Sequence, residues 1–166
     1  MNKSIEQLIL ALNKECEIYE EVLRLAKQKR RIIIEGRVKE LDGITRKEQG
    51  MIVTLGKLEN IRDSIVKNIL KEIEIKNEVK NITELVKYLD NEFKEKIIEI
   101  KEKLMKILDE VKNENDLNSK LIKQSLEYIE FNKNLLTSLE SQGSTYGANA
   151  DERDIKIKSN LFDVKI

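Results

Sequence analysis

The chain has 166 residues, with 31 Lys plus Arg against 31 Asp plus Glu, no His, no Pro, no Trp and one cysteine. Balanced charge leaves no net field to draw in nucleic acid or anionic lipid; a lone cysteine excludes an intramolecular disulfide, and the lack of His puts the usual zinc ligand sets out of reach. With 37% charged and 4% aromatic residues, the composition fits long helices better than a sheet.

The N-terminus, MNKSIEQL, has no apolar core of signal-peptide length. The longest apolar runs, such as 32–34, fall far short of the roughly 20 residues that span a bilayer. A soluble, cytoplasmic chain without membrane insertion is expected. The first helix is predicted over about 4–35, opening where Ser4 and Gln7 have capping-box spacing. Its seam runs in steps of four and three through Ile5, Ile9, Leu12, Cys16, Tyr19, Leu23, Ala26, Arg30 and Ile33. Cys16 falls on that seam and reads as a small buried hydrophobe, since no His or Lys-rich setting activates its thiol. Gly36 follows the seam and is the natural stop.

The second helix is predicted over 38–78, with Leu41, Ile44, Met51, Leu55, Leu58, Ile65 and Ile69 on its seam. Glu48 and Arg62 interrupt it, as rim positions or devices that fix register. Gly43, Gly50 and Gly56 each cost a helix about 1 kcal/mol relative to Ala. Two readings stay open for Gly43 and Gly50: close approach of another helix (or local softness), and tolerated surface positions. A short turn or broken helix is expected over 79–90. The seam turns polar there through Glu72, Lys76, Thr83 and Asp90, Asn77, Asn81 and Asn91 cluster nearby, and Asn81 and Glu84 have capping-box spacing. One unbroken helix of about 100 residues is formally allowed, because Ile44 and Phe93 are in heptad phase, but helix one is too short to cover it.

The third helix is predicted over 91–140, roughly 70 Å long. Taken in steps of four and three from Phe93 to Leu139, ten of its fourteen seam positions are apolar. Its opposite face carries acid-then-base pairs at four residues, Asp90 to Lys94, Glu92 to Lys96, Glu99 to Lys103 and Glu102 to Lys106. The segment NENDLNSK puts Glu114 and Asn118 on the seam, where polar groups cost stability and fix register or partner choice. Beyond it, residues 121–139 are too broadly apolar for one seam and form a candidate groove for another protein's helix. After Glu140 the helical stripe ends. The tail 141–166 reads as disordered in isolation, with Tyr146 and Phe162 as aromatic anchors that fold onto a partner.

The expected fold is all-α: an antiparallel three-helix bundle or coiled coil with long helices over 1–140, and a flexible C-terminal tail that folds on binding. No catalytic, metal or cofactor site is expected. The acids lie on solvated faces, no His is present for general acid–base work, and no phosphate-binding glycine loop occurs.

The stretch IIIEGRVKELDGITRKEQGMIVTLGKLENIRDSIV resembles the first hairpin of the FlgN family of flagellar export chaperones, and the likeness continues through NENDLNSKLIKQSLEYIEFNKNLL, STYGAN and LFDVKI. The resemblance implies a bacterial cytoplasmic chaperone, monomeric or weakly dimeric. It would bind the C-terminal helical region of the hook-filament junction proteins FlgK and FlgL and deliver them to the export gate protein FlhA. Carried over by motif, Tyr146 is the candidate for gate docking. Ile129, Leu135, Leu136, Leu139 and Phe162 are the candidates for substrate contact. The alternative is a structural coiled-coil scaffold or stalk subunit, whose partner binding would survive deletion of residues 141–166.

Overall fold

The computed structural model describes residues 2–74, 79 and 81–143. Among them every regular element is helical: α1 (Asn2–Ile34), α2 (Val38–Glu72), α3 (Ile82–Leu85), a 3-10 turn (Val86–Tyr88) and α4 (Asn91–Gly143). The chain divides into two compact units, Met1–Gln124 and Ser125–Ile166, and the helix packing below belongs to the first.

Cross-helix bonds set the directions. Ser4 pairs with Glu72, Glu15 with Arg62 and Lys29 with Glu48, so α1 and α2 run antiparallel. Glu20 pairs with Lys103, Lys27 with Glu110 and Arg30 with Glu114, so α1 and α4 run parallel at a nearly constant offset. Ser4 is not the N-cap that its spacing predicts. α1 is already helical at Asn2, and the Ser4 hydroxyl donates to the Glu72 carboxylate at 2.6 Å, tying the start of α1 to the end of α2. Lys103, one of the expected i,i+4 partners on α4, reaches across to Glu20 at 2.8 Å instead.

The turn after α1 is made by Gly36 at φ 67°. Its N–H donates to Ile33 O and the Arg37 N–H to Ile32 O, both at 3.1 Å, which is the paired closure that satisfies the last carbonyls of a helix. α2 ends at Glu72, before the predicted limit of 78. Glu74, at φ 57°, supplies the left-handed residue there although it is not glycine. The connector after it is held by Asn81, extended at φ −156°, whose side-chain oxygen accepts the Glu84 N–H at 2.9 Å. Leu89 returns to extended backbone, and the Asp90 carbonyl accepts the Lys94 N–H at 3.0 Å as α4 begins. Leu85, Val86 and Leu89 of this connector are buried with Ile5, Leu8, Leu12, Ile69 and Ile97. It plugs one end of the helical pack.

Burial is uneven. Eleven of the twenty buried residues among those described lie on α1, from Ile5 to Ile33, against two on α2 (Ile44, Ile69) and four on α4 (Ile97, Ile107, Val111, Asn118). α1 is therefore the shared strip, and α2 and α4 each give it one face. Large side chains on their other faces, Ile52, Val53 and Ile61 on α2 and Met105 on α4, remain exposed.

A Cβ built at Gly43, Gly50 or Gly56 meets nothing within 4 Å. No described helix approaches closely at these positions, so the close-approach reading of Gly43 and Gly50 fails among the described residues. Gly50→Ala is expected to stabilise the fold by about 1 kcal/mol. Gly36→Ala, forced into the left-handed region, is expected to destabilise it by a similar amount, about 1 kcal/mol. Denaturant midpoints moving in opposite directions would check both.

Candidate functional site

Because α2 and α4 flank α1 without closing over it, an open cleft of about 440 Å³ lies between them. Tyr19 and Val22 of α1 line it, with Ile52, Leu55 and Gly56 of α2 on one side and Leu104, Leu108 and Val111 of α4 on the other. A second cleft of about 290 Å³ shares Val22, Ile52 and Asn115 with it and extends the lining to Lys29, Glu48, Asn118 and Ile122. Tyr19, Leu55, Leu104 and Val111 are seam positions, so the seams run along the first cleft without showing that it stays open. Ile52 lies off the main repeat of α2 and was the available signal.

The charges in this region are already committed. Arg62 Nη1 donates to both carboxylate oxygens of Glu15, at 2.9 and 2.7 Å. Burial holds the Glu15 carboxyl above its ordinary pKa, and Arg62 pulls in the opposite direction. Lys29 and Glu48 pair across α1 and α2 with both side chains largely shielded. The two interruptions of the α2 seam are thus both ends of ion pairs to α1. Burial also raises the Tyr19 phenol, with the Glu15 charge adding to it. Cys16 is buried, its thiol pushed up by desolvation and its Sγ 3.9 Å from the Ile100 carbonyl, a packed side chain rather than an activated nucleophile.

Asn118 is 3% exposed. Its amide Nδ2 donates to the Ala26 carbonyl at 2.9 Å, while its Oδ1 and the Oε2 of Glu114 are buried without a partner. Glu114 uses its other oxygen on Arg30, at 3.1 Å. Both residues belong to the polar seam segment, and the structure shows what they do: they bond α1 and leave an acceptor each unused.

In the second unit only 125–143 is described, as the distal part of α4. Ile129, Leu135, Leu136 and Leu139, the residues expected to touch substrate, are all exposed there, together with Leu126, Tyr128 and Phe131. At 3.6 residues per turn these seven spread over more than half of the helix circumference. Tyr146 and Phe162 lie outside the described residues. Among the described residues no group of three or more His, Cys, Asp or Glu could hold a metal ion, and no helix is long and apolar enough to cross a membrane.

Comparison with known proteins gives three findings. A family model described as FlgN protein matches residues 1–154. Over 162 residues, 98% of this chain and 99% of the relative, the sequence is 25% identical to a protein of Bacillus subtilis (strain 168) described as "Uncharacterized protein YvyG". No solved structure matches.

The Glu15–Arg62 pair carries a pH signature. An acid whose folded-state pKa is raised favours the fold in its protonated form; that contribution is present at low pH and lost as pH rises through the folded value. Arg62→Ala removes the opposing attraction and lifts Glu15 further. The variant is expected to lose about 3 kcal/mol at neutral pH, where the buried carboxylate is left unpaired, and to close part of that gap as pH falls toward about 5. Denaturant titrations of both proteins across that range would show a gap that narrows; a gap independent of pH would contradict this account.

Proposed function

Since the chain belongs to the FlgN family, a family of flagellar export chaperones and not of enzymes, we propose that it binds the C-terminal helical region of FlgK and FlgL in the cytoplasm. On this reading it prevents their premature assembly and delivers them to FlhA at the export gate. The observation that supports it most directly is the distal half of α4, where seven large apolar side chains stand exposed within fourteen residues. A helix that presents so broad an apolar face has surface for an amphipathic partner. Ile129, Leu135, Leu136 and Leu139 are the proposed contacts, with Phe162 closing over the bound segment and Tyr146 docking to the gate.

We further propose that the three long helices work as an antiparallel three-helix coiled coil and that the chain beyond α4, which runs to Gly143, folds on its partner. The energetics suit a carrier. Apolar burial contributes about 25 cal/mol per Å², while ordering the tail costs several kcal/mol and keeps release feasible. No cofactor is needed.

Titration calorimetry of a C-terminal helical fragment of FlgK into the intact chain, and into one ending at Glu140, tests this reading. Binding that weakens on truncation is expected, and Leu135→Ala with Leu139→Ala in the intact chain should weaken it by about tenfold or more. Tyr146→Ala should leave fragment binding unchanged and reduce binding to the cytoplasmic domain of FlhA. No binding by either length would leave a structural scaffold as the better account.

A further inference from the structure

α2 and α4 each carry a second stripe, one residue out of step with the seam that packs on α1. On α4, Leu108, Asn115 and Ile122 recur every seven residues, each directly after a seam position (Ile107, Glu114, Leu121). On α2, Ile52 follows Met51 and Glu59 follows Leu58 in the same way. All five second-stripe residues line the clefts over α1. A helix with two adjacent stripes is built to pack on two neighbours. Here the second stripe is uncovered, with Ile52, Leu108 and Ile122 63%, 38% and 37% exposed. We propose that these stripes receive one amphipathic helix of another protein, and that this helix carries a side-chain amide on its apolar face, set against Asn115.

Length and charge define the occupant. The α4 wall from Leu104 to Ile122 spans roughly 27 Å, which a helix of roughly 18 residues fills. The charged side chains of the lining are Glu15, Glu59 and Arg62 in one cleft and Lys29 and Glu48 in the other, and each is held in an ion pair inside the chain. A charge brought in by a partner would lose its water with no free counter-charge to receive it. The seated face is therefore uncharged.

The amide is called for where the two clefts meet. Asn115 is exposed and lines both of them. Asn118 and Ser119 follow it by three and four residues, on the same side of α4, in the wall of the second cleft. Asn118 is 3% exposed; its Nδ2 is spent on the Ala26 carbonyl and its Oδ1 has no partner. A buried acceptor left unmet is costly, and this one belongs to the wall of an open cleft. A carboxamide brings two N–H donors and one acceptor, enough to pair with the Asn115 amide and to meet Asn118. In helical assemblies one amide among apolar seam residues selects partner and register. That the docked helix comes from the exported protein rests on the chaperone reading; the demand for an amide does not.

The test is fluorescence anisotropy of synthetic helical peptides of roughly 18 residues with the full chain. Each has leucines on one face, lysines and glutamates on the other, and a tryptophan on the polar face as reporter, since the chain has none. One glutamine is walked along the leucine face, and the all-leucine peptide is the reference. At one glutamine position the peptide is expected to bind at least about tenfold tighter than the reference, a preference opposite to hydrophobicity. Asn115→Leu should abolish that preference. Asn118→Leu should also abolish it while leaving the denaturant midpoint unchanged or higher, because it deletes an unmet acceptor. Gly56 lines the α2 wall, where a Cβ meets nothing within 4 Å, and Gly56→Leu should weaken every peptide at least about tenfold.

A reference peptide that binds as tightly as every glutamine peptide overturns the proposal, as does binding that Gly56→Leu leaves unchanged. An Asn118→Leu protein with a lowered midpoint and an intact preference would make Asn118 a register device and overturn it too. Peptides that bind only a chain ending at Gly143 would give the cleft to the chain's own tail, and binding that weakens as chain concentration rises would give it to a second copy; either result refutes the proposal. A FlgK fragment that binds the wild type and Gly56→Leu alike, beside a glutamine peptide that does not, upholds the cleft and assigns it to a different partner. A fragment that binds neither protein refutes the chaperone reading, while the peptides still decide this one.

Discussion

One strip of α1 holds the described helices of the first unit together. Ile5, Leu8, Leu12, Leu25, Ala26 and Ile32 are essentially without solvent contact, and each faces α2, α4 or the connector. α1 is amphipathic, with Glu6, Lys14, Glu17 and Lys27 exposed opposite its stripe, and the stripe is wide enough to need two partner helices before it is satisfied. α2 and α4 pack on α1 and, at one end, on the connector, and their outer residues stay exposed. The cleft is a geometric result of this division. Two helices packed on a third at ordinary interhelical distances leave a groove between them unless their own side chains are long enough to meet across it, and Gly56 shortens one wall further.

Polar groups set the register of that packing. Glu15 with Arg62 and Lys29 with Glu48 fix α2 against α1; Asn118 with the Ala26 carbonyl and Arg30 with Glu114 fix α4 against α1. A slip by one heptad would keep leucines and isoleucines in contact while stranding each of these groups, at a few kcal/mol per buried charge or amide. The exposed pairs, such as Lys14–Glu17 and Arg24–Glu21, contribute little in comparison, because solvent screens them and their long side chains lose freedom when they pair.

The 3.5-residue repeat made the long helices legible, because an apolar residue at every third or fourth place has few other uses in a Pro-free chain. Gly36 marked its turn for an equally local reason, the need for a left-handed residue after Ile34. Asn81 was legible as a cap and bonds the Glu84 N–H. The failures share a cause: they depend on which helix lies opposite. Ser4 has the spacing of a cap, yet Glu72 is its partner, 68 residues away. Glu15 lies off the α1 seam and looks like a surface acid until Arg62 is placed beside it. The cleft is hard to see for a reading that asks which residues of a helix are buried, since its lining mixes buried residues, Val22 and Val111, with exposed ones, Ile52 and Leu108. Ile52 is an apolar residue off the α2 seam, and only a third helix turns it into a wall. For Tyr146 and Phe162 the reading as aromatic anchors came from the composition of the tail, and their separate roles at gate and substrate from the resemblance.

A chain that exposes a broad apolar helix face and an apolar cleft together carries an aggregation liability that natural soluble proteins usually limit. Balanced charge makes this sharper, because with 31 positive and 31 negative side chains no net repulsion keeps copies apart. Such surfaces persist where they are used, and the physics favours a use that is reversible. Ion pairs and amides inside the cleft lower the gain from filling it compared with an all-leucine groove, and a segment that must leave solvent on one side only gives up part of its area. Moderate affinity of this kind suits a chaperone, which has to release what it binds.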